Sequence, residues 1–289
     1  MPAANINGAL LRYEETGEGE ALILVHGSAS DMRTWHPQLQ EFGKFYRTIS
    51  YSRRYHWPNE PIREGVDYAM AEHVHDLQTV VEALHAIPAH LVGHSYGAFL
   101  SLLVAIHSPK IVRSLVLAEP PAITLFVSNR PRPVELLRLL LRRPRTAAAI
   151  LKFGVRGVAP AEAAARRNDM EEVLRLFGTA TLGAVAYHRL PEARREQARA
   201  NLIKAELLEP GFAQLDDDSV RRVQSPVLLV TGQKSPPIWH HISKRLEILI
   251  PNMERVEIKQ ASHIMHEDNP QDYNTAVLSF LAKHSFRQI

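Results

Sequence analysis

Gly93-His94-Ser95-Tyr96-Gly97 constrains this chain more than any other stretch. Ala89-His90-Leu91-Val92, just before it, is a short apolar run that reads as a buried strand. Ala98 to Ile106, just after it, is apolar almost throughout and reads as a buried helix. A G-x-S-x-G pattern between a strand and a helix is a sharp turn with serine at its tip. The two glycines leave room where backbones converge and tolerate strained dihedrals. The turn lifts the serine oxygen out of the sheet. The helix after it points free amide N–H groups at any anion that forms there. Five residues with three fixed positions recur by chance, so the weight of the pattern comes from its flanks and from two further signals.

Around this turn the chain alternates strands and helices. Ala9 to Glu15 alternates like an early strand, and Gly17-Glu18-Gly19 is a turn. Ala21 to Val25 and Tyr46 to Tyr51 read as strands, and Val112 to Ala118 as another. Met70 to His85 carries Val74, Leu77, Val81 and Leu84 at helical spacing. Such alternation implies an α/β fold with a mostly parallel sheet covered on both faces. After Pro120-Pro121 the character changes. Residues 121–222 show helical patterns rich in arginine and alanine and no convincing strand, and strands resume at Pro226 to Val230. The expected organisation is a core of residues 1–120 and 223–289, interrupted by a helical insertion over 121–222. Asp216-Asp217-Asp218-Ser219 reads as a helix start near the end of that insertion.

The first further signal is upstream: the Ala21 to Val25 strand ends in His26-Gly27-Ser28, with Trp35 a little later. The second is downstream. Arg255-Val256-Glu257-Ile258 alternates like a strand, then come Ala261-Ser262-His263 and Glu267-Asp268-Asn269-Pro270. With these residues in view the chain closely resembles the α/β-hydrolase superfamily, whose last core strand ends in a small residue and a histidine before an acidic residue and a proline. Ser262 stands where that family usually has glycine. The resemblance implies a helical cap for the insertion, Ser95 as nucleophile and His263 as its base. It also implies an oxyanion hole from the backbone N–H groups of Ser28, the residue after His-Gly, and Tyr96, the residue after the nucleophile. Among the other histidines, His94 packs or caps inside the turn and His26 braces the oxyanion loop. His240, His241 and His266, on or near the start of late helices, read as surface residues.

The acid is where the chain departs from the commonest family pattern. The run that usually carries it, after the strand following the cap, is Gly232-Gln233-Lys234-Ser235, and serine cannot ionise there. The strand before the insertion ends in Leu117-Ala118-Glu119-Pro120-Pro121. A carboxylate at the C-terminal end of a buried parallel strand sits at the edge where α/β enzymes place their chemistry. Some branches of the superfamily, certain haloalkane dehalogenases and zearalenone-type lactonases among them, place the acid at this position. Glu119 is therefore expected to complete a Ser-His-Glu triad. The alternative is that it caps a turn or pairs with an arginine of the insertion. Tyr51 to Pro58 replaces the family's usual D-x-x-G-x-G, and the residues leave open whether it lines a pocket or packs a loop. Pro236-Pro237-Ile238-Trp239 is expected to fill space beside His263.

The implied activity is cleavage of a carboxylic ester or lactone through an acyl-enzyme, with a small-molecule substrate, no cofactor and no metal. The resemblance equally admits a C–C bond hydrolase, an amidase, a cofactor-free dioxygenase of the same fold, or a non-catalytic hydrolase-like receptor. A serine nucleophile argues against haloalkane dehalogenases and epoxide hydrolases, which use aspartate there. Composition narrows the rest. The 289 residues contain no cysteine, which excludes disulfides, zinc-thiolate sites and a cysteine nucleophile. A net charge of +3 gives little reason to expect nucleic-acid binding. The arginines clustered from Arg130 to Arg145 and from Arg166 to Arg199 read first as solvated helix faces, and second as a lure for an anionic substrate or membrane surface. No apolar run approaches the roughly eighteen residues of a membrane span, and no secretory leader is visible. The expected location is cytoplasmic, and a homodimer is left open.

Overall fold

The computed structural model describes residues 1–63, 65, 66, 68–208 and 211–286. Its eight strands are β1 (Ala3–Ile6), β2 (Ala9–Thr16), β3 (Ala21–Val25), β4 (Arg47–Tyr51), β5 (Ala89–His94), β6 (Val112–Ala118), β7 (Val227–Gly232) and β8 (Met253–Ile258). They form one sheet in the order β1-β2-β4-β3-β5-β6-β7-β8. β1 and β2 form an antiparallel hairpin, β2 runs antiparallel to β4, and all later pairings are parallel. β1 escaped the sequence reading because it is only four residues long. Asn7-Gly8, both at positive φ, is the hairpin turn that announces it.

β3, β5 and β7 are buried at every residue, as strands sandwiched between helix layers must be. The pleat sends alternate residues to opposite faces. Ile23, Val25, Leu91 and Leu229 pack on one face with Leu77 and Val81 of α2 (Met70–Ala83) and Phe99 of α3 (Tyr96–His107). Leu22, Leu24, Val92 and Val230 pack on the other. There they meet Leu39 and Phe42 from the helix His36–Phe42, here α1, and Tyr273, Val277 and Phe280 from the C-terminal helix Pro270–His284.

Between β6 and β7 the described residues contain helices and no strand. They are α4 (Pro133–Arg142), α5 (Pro144–Phe153), α6 (Ala159–Arg166), α7 (Met170–Leu182), α8 (Ala184–Arg189), α9 (Glu192–Ala200), α10 (Lys204–Leu208) and α11 (Asp217–Arg221). Asp216 caps α11, accepting from the Ser219 amide at 2.7 Å. This helical layer is tied to the sheet by polar bonds. Asp31 accepts from Gln197 Nε2 at 2.9 Å and Asn201 Nδ2 at 2.6 Å, and Arg194 Nε meets Glu267 at 3.0 Å. Among the described residues no helix is long and apolar enough to cross a membrane. The remaining helices are α12 (Pro237–Leu249), α13 (Met265–Asp268) and α14, the C-terminal helix above.

Candidate active site

The C-terminal edge of the parallel strands brings together residues far apart in the chain. Ser95 sits between β5 and α3 at φ 50° and ψ −118°, a strained conformation for a residue with a side chain. Its amide donates to the Ala118 carbonyl at 2.8 Å, and its own carbonyl accepts the first bond of α3 from Phe99 at 3.0 Å. The flanking glycines are required by close approach. A Cβ on Gly93 would lie 2.6 Å from the Ala98 backbone, and one on Gly97 would press into the Val25 and His26 carbonyls. So α3 can start directly against β3 and β5, with the serine forced outward.

Glu119 lies at the end of β6 with φ 45°, a second strained position at the same sheet edge. It is buried, and its carboxylate has three donors. Oε1 accepts from the Gly232 amide at 2.9 Å, while Oε2 accepts from Ser235 Oγ at 3.0 Å and from His263 Nδ1 at 2.6 Å. Ser235, which fills the position where an acid is commonest, thus donates to a carboxylate supplied from β6. Because an ionised carboxylate can only accept, Nδ1 carries the proton and Nε2 presents a lone pair. His263 Nε2 is buried and makes no hydrogen bond among the described residues. Trp239 of α12 stacks on the imidazole, with ring centroids 4.0 Å apart and planes 15° apart. Its indole N–H donates to the Thr181 carbonyl of α7 at 2.9 Å, which locks the ring in place.

Ser95 and His263 line one small cavity of about 60 Å³ with Ser28, His94 and residues of the helical layer. That layer contributes mainly apolar groups, among them Leu174, Phe177, Leu182 and Tyr187. Tyr96 opens α3 and so holds one of the amide N–H groups a helix leaves without an intrahelical acceptor. Ser28 follows Gly27 on the facing loop, and the next residue, Ala29, is again at positive φ, 48°.

The loop that bears Ser28 is braced by a buried cation that sequence reasoning did not single out. Arg53, 1% exposed, donates from Nη2 to Gly27 O at 3.1 Å, from Nε to His26 O at 3.3 Å and from Nη1 to the Tyr68 hydroxyl at 3.1 Å. It lies 4.4 Å over the Tyr96 ring. Burial opposes its charge, but Tyr68 and the carboxylate of Glu206 on α10 outweigh that and hold it protonated. Glu206 Oε1 sits 3.4 Å from Arg53 and accepts from Ser28 Oγ at 2.8 Å. Arg53 belongs to the Tyr51 to Pro58 segment. That segment therefore packs behind the loop that bears Ser28, with Tyr55 close to Tyr68 and His73. No local signal marks Arg53, since its carboxylate partner, Glu206, is 153 positions away.

His26, His94 and His266 are buried around the site. His26 Nε2 accepts from the Arg53 amide at 2.8 Å, and burial together with the Arg53 charge lowers its pKa to about 3. His94 reaches the His263 carbonyl at 2.9 Å and is kept neutral by burial and by neighbouring His266. His266 is not a surface residue as its position suggested. It is fully buried beside Trp35, 4.4 Å between centroids, and burial lowers its pKa to about 4. The four-residue helix α13 turns inward against the sheet, which its short polar sequence Met-His-Glu-Asp does not announce. Ser262, in place of the expected glycine, donates from its amide and hydroxyl to Asp268 at 2.7 and 2.6 Å and so fixes the loop carrying His263.

Comparison with known proteins agrees with this architecture. A sequence model described as "Alpha/beta hydrolase family" matches residues 22–276. A curated (E)-2-((N-methylformamido)methylene)succinate hydrolase from Acinetobacter baylyi is 23% identical over 95% of this chain and 95% of its own. An esterase from Thermogutta terrifontis superposes with a TM-score of 0.72 at 19% identity, covering 99% of this chain and 100% of that one. An enol-lactonase from Burkholderia xenovorans superposes with a TM-score of 0.61 at 19% identity, covering 97% and 100%.

Proposed function

This chain belongs to the alpha/beta hydrolase family, and from that premise we propose that it is a serine hydrolase cleaving a carboxylic ester or lactone through an acyl-enzyme. The observation that carries the reading is the 2.6 Å bond from His263 Nδ1 to the Glu119 carboxylate, with His263 Nε2 unbonded among the described residues and with Ser95 lining the same cavity as His263. In this mechanism Nε2 takes the Ser95 hydroxyl proton as Oγ bonds to the substrate carbonyl carbon. The carbonyl oxygen becomes an oxyanion held by the Ser28 and Tyr96 amides. Glu119 and the stacked Trp239 stabilise the imidazolium that forms. His263 then returns its proton to the leaving oxygen, the ester C–O bond breaks, and a water activated by Nε2 releases the acyl group.

The helical segment between β6 and β7 acts as the cap and supplies the substrate contacts. Its Leu174, Phe177 and Leu182 favour an uncharged, short acyl group in the small cavity. The esterase and enol-lactonase among its structural neighbours are consistent with this class of substrate. A serine-directed fluorophosphonate tests the assignment. It should label the native protein at Ser95 and fail to label Ser95→Ala. A p-nitrophenyl ester of a short acid should give a burst of phenolate that the phosphonate abolishes. Labelling that persists in Ser95→Ala, or native protein that neither labels nor turns over a panel of esters and lactones, would overturn the reading.

A further inference from the structure

Helix α4 is built the wrong way round for a helix at the surface of a water-soluble protein. Leu139 packs into the core, yet Val134, Leu137, Leu140 and Leu141 are 48%, 55%, 47% and 76% exposed. At 100° per residue these four fall within one sector of about 120°, on the side away from Leu139. A contiguous apolar face on the outside of a monomer marks a place where something else sits.

The surroundings of that face say what. Arg130, Arg132, Arg138, Arg142, Arg143 and Arg145 cluster on and around α4, and all are exposed. Arg221 and Arg245 nearby pair with Asp217 and Asp218. Among the described residues, none of those six forms an ion pair. Arg138, Arg142 and Arg143 also line a cleft of about 360 Å³ with Arg245, over apolar Phe126 and Leu139. Among the described residues the one carboxylate in that cleft, Glu135, accepts from the Ser128 amide at 3.0 Å.

We propose that the exposed face of α4 docks on an anionic phospholipid bilayer, with Val134, Leu137, Leu140 and Leu141 entering the headgroup boundary and the exposed arginines beside them reaching lipid phosphates. An apolar stripe flanked by unpaired cations is complementary to a surface that is apolar within and negatively charged at its edge. A second copy of this chain fits less well. A two-fold contact through the same patch would set the two arginine clusters against each other. This surface is independent of the catalytic assignment.

Co-sedimentation of the full chain with phosphatidylcholine vesicles, with and without a third of phosphatidylserine, tests the proposal. The native protein should sediment with the anionic vesicles and stay in solution with the neutral ones. Arg138→Ala/Arg142→Ala/Arg143→Ala should lower the partition coefficient by about fivefold per arginine, roughly a hundredfold together. Leu137→Gln/Leu141→Gln should weaken partitioning by at least about tenfold, since it removes the burial of two leucines. Circular dichroism melts like the native one show that both variants fold. Three results would overturn the proposal. The first is no sedimentation. The second is arginine dependence without leucine dependence, which means plain electrostatic adsorption. The third is a native dimer in sedimentation velocity that Leu137→Gln/Leu141→Gln makes monomeric.

Discussion

At the scale of single residues, Glu119 has no interchangeable neighbour. Its Oε1 is pinned by the Gly232 amide, a donor, so that oxygen cannot exchange places with an NH₂ group. In Glu119→Gln the amide nitrogen is therefore forced to the position facing His263 Nδ1 and Ser235 Oγ. A donor there favours the tautomer with the proton on Nε2, which cannot take a proton from Ser95. By analogy with the corresponding change in other triads, kcat should fall by up to about 10⁴-fold. Ser235→Ala removes only one of three donors to the same carboxylate and should lower kcat by about tenfold, the low end of the value of one hydrogen bond to a charged group. Steady-state kinetics on the best ester of the panel checks both. The reverse ranking would mean that Glu119 serves the fold alone.

At the scale of elements, the decisive unit is the strand-turn-helix from β5 to α3. α3 is buried from Tyr96 to Ala105, an apolar helix on all sides, so it cannot shift to relieve a clash. Gly97→Ala would push a methyl group into the Val25 and His26 carbonyls at the end of β3. Relief would separate α3 from the loop that carries Ser28 and open the proposed oxyanion hole. The variant should lose about 3 kcal/mol of stability, the upper end of forced overpacking, and should lose fluorophosphonate labelling even where it still folds. A urea midpoint and labelling rate like those of the native protein would remove the steric account of this glycine. A glycine also answers close approach in the π-helical turn Gly154–Val158 between α5 and α6, where a Cβ on Gly157 would press into the Ala180 side chain of α7.

At the scale of the whole molecule, burial keeps several interior imidazoles neutral. His26, His56, His73, His90, His94 and His266 are all buried, and burial is the largest cause of a lowered pKa at each. His90 and His266 are lowered to about 4, while the same groups in the unfolded chain titrate near 6.5. Between those two values the unfolded chain binds more protons than the folded one, so stability rises with pH across that window. The urea midpoint should be level above about pH 7 and fall as the pH drops from 6.5 towards 4. Each such histidine contributes up to about 1.4 kcal/mol per pH unit. The carboxylates Asp31 and Glu267, lowered by Arg33 and Arg194 against the opposing effect of burial, extend the loss further into acid. A midpoint unchanged from pH 7 to pH 5 would falsify the burial of these histidines in the neutral form.

The parallel core was legible in the chain because its strands are buried on both faces. Ala21–Val25 and Val112–Ala118 read as apolar runs and fold at those same boundaries. The serine turn was legible because its glycines answer a local steric demand. The position of Glu119 at a strand end was legible for the same reason, since strand ends follow from the pattern of buried residues. What Glu119 touches was not, because its bonds to Gly232, Ser235 and His263 span 113 to 144 positions. The inward turn of His266, the brace of Arg53 and the contact of Glu206 with Ser28 were equally hidden. Each is a polar residue that reads as solvated from its neighbours in sequence. Only the folded packing removes its water and supplies the partner that makes burial tolerable.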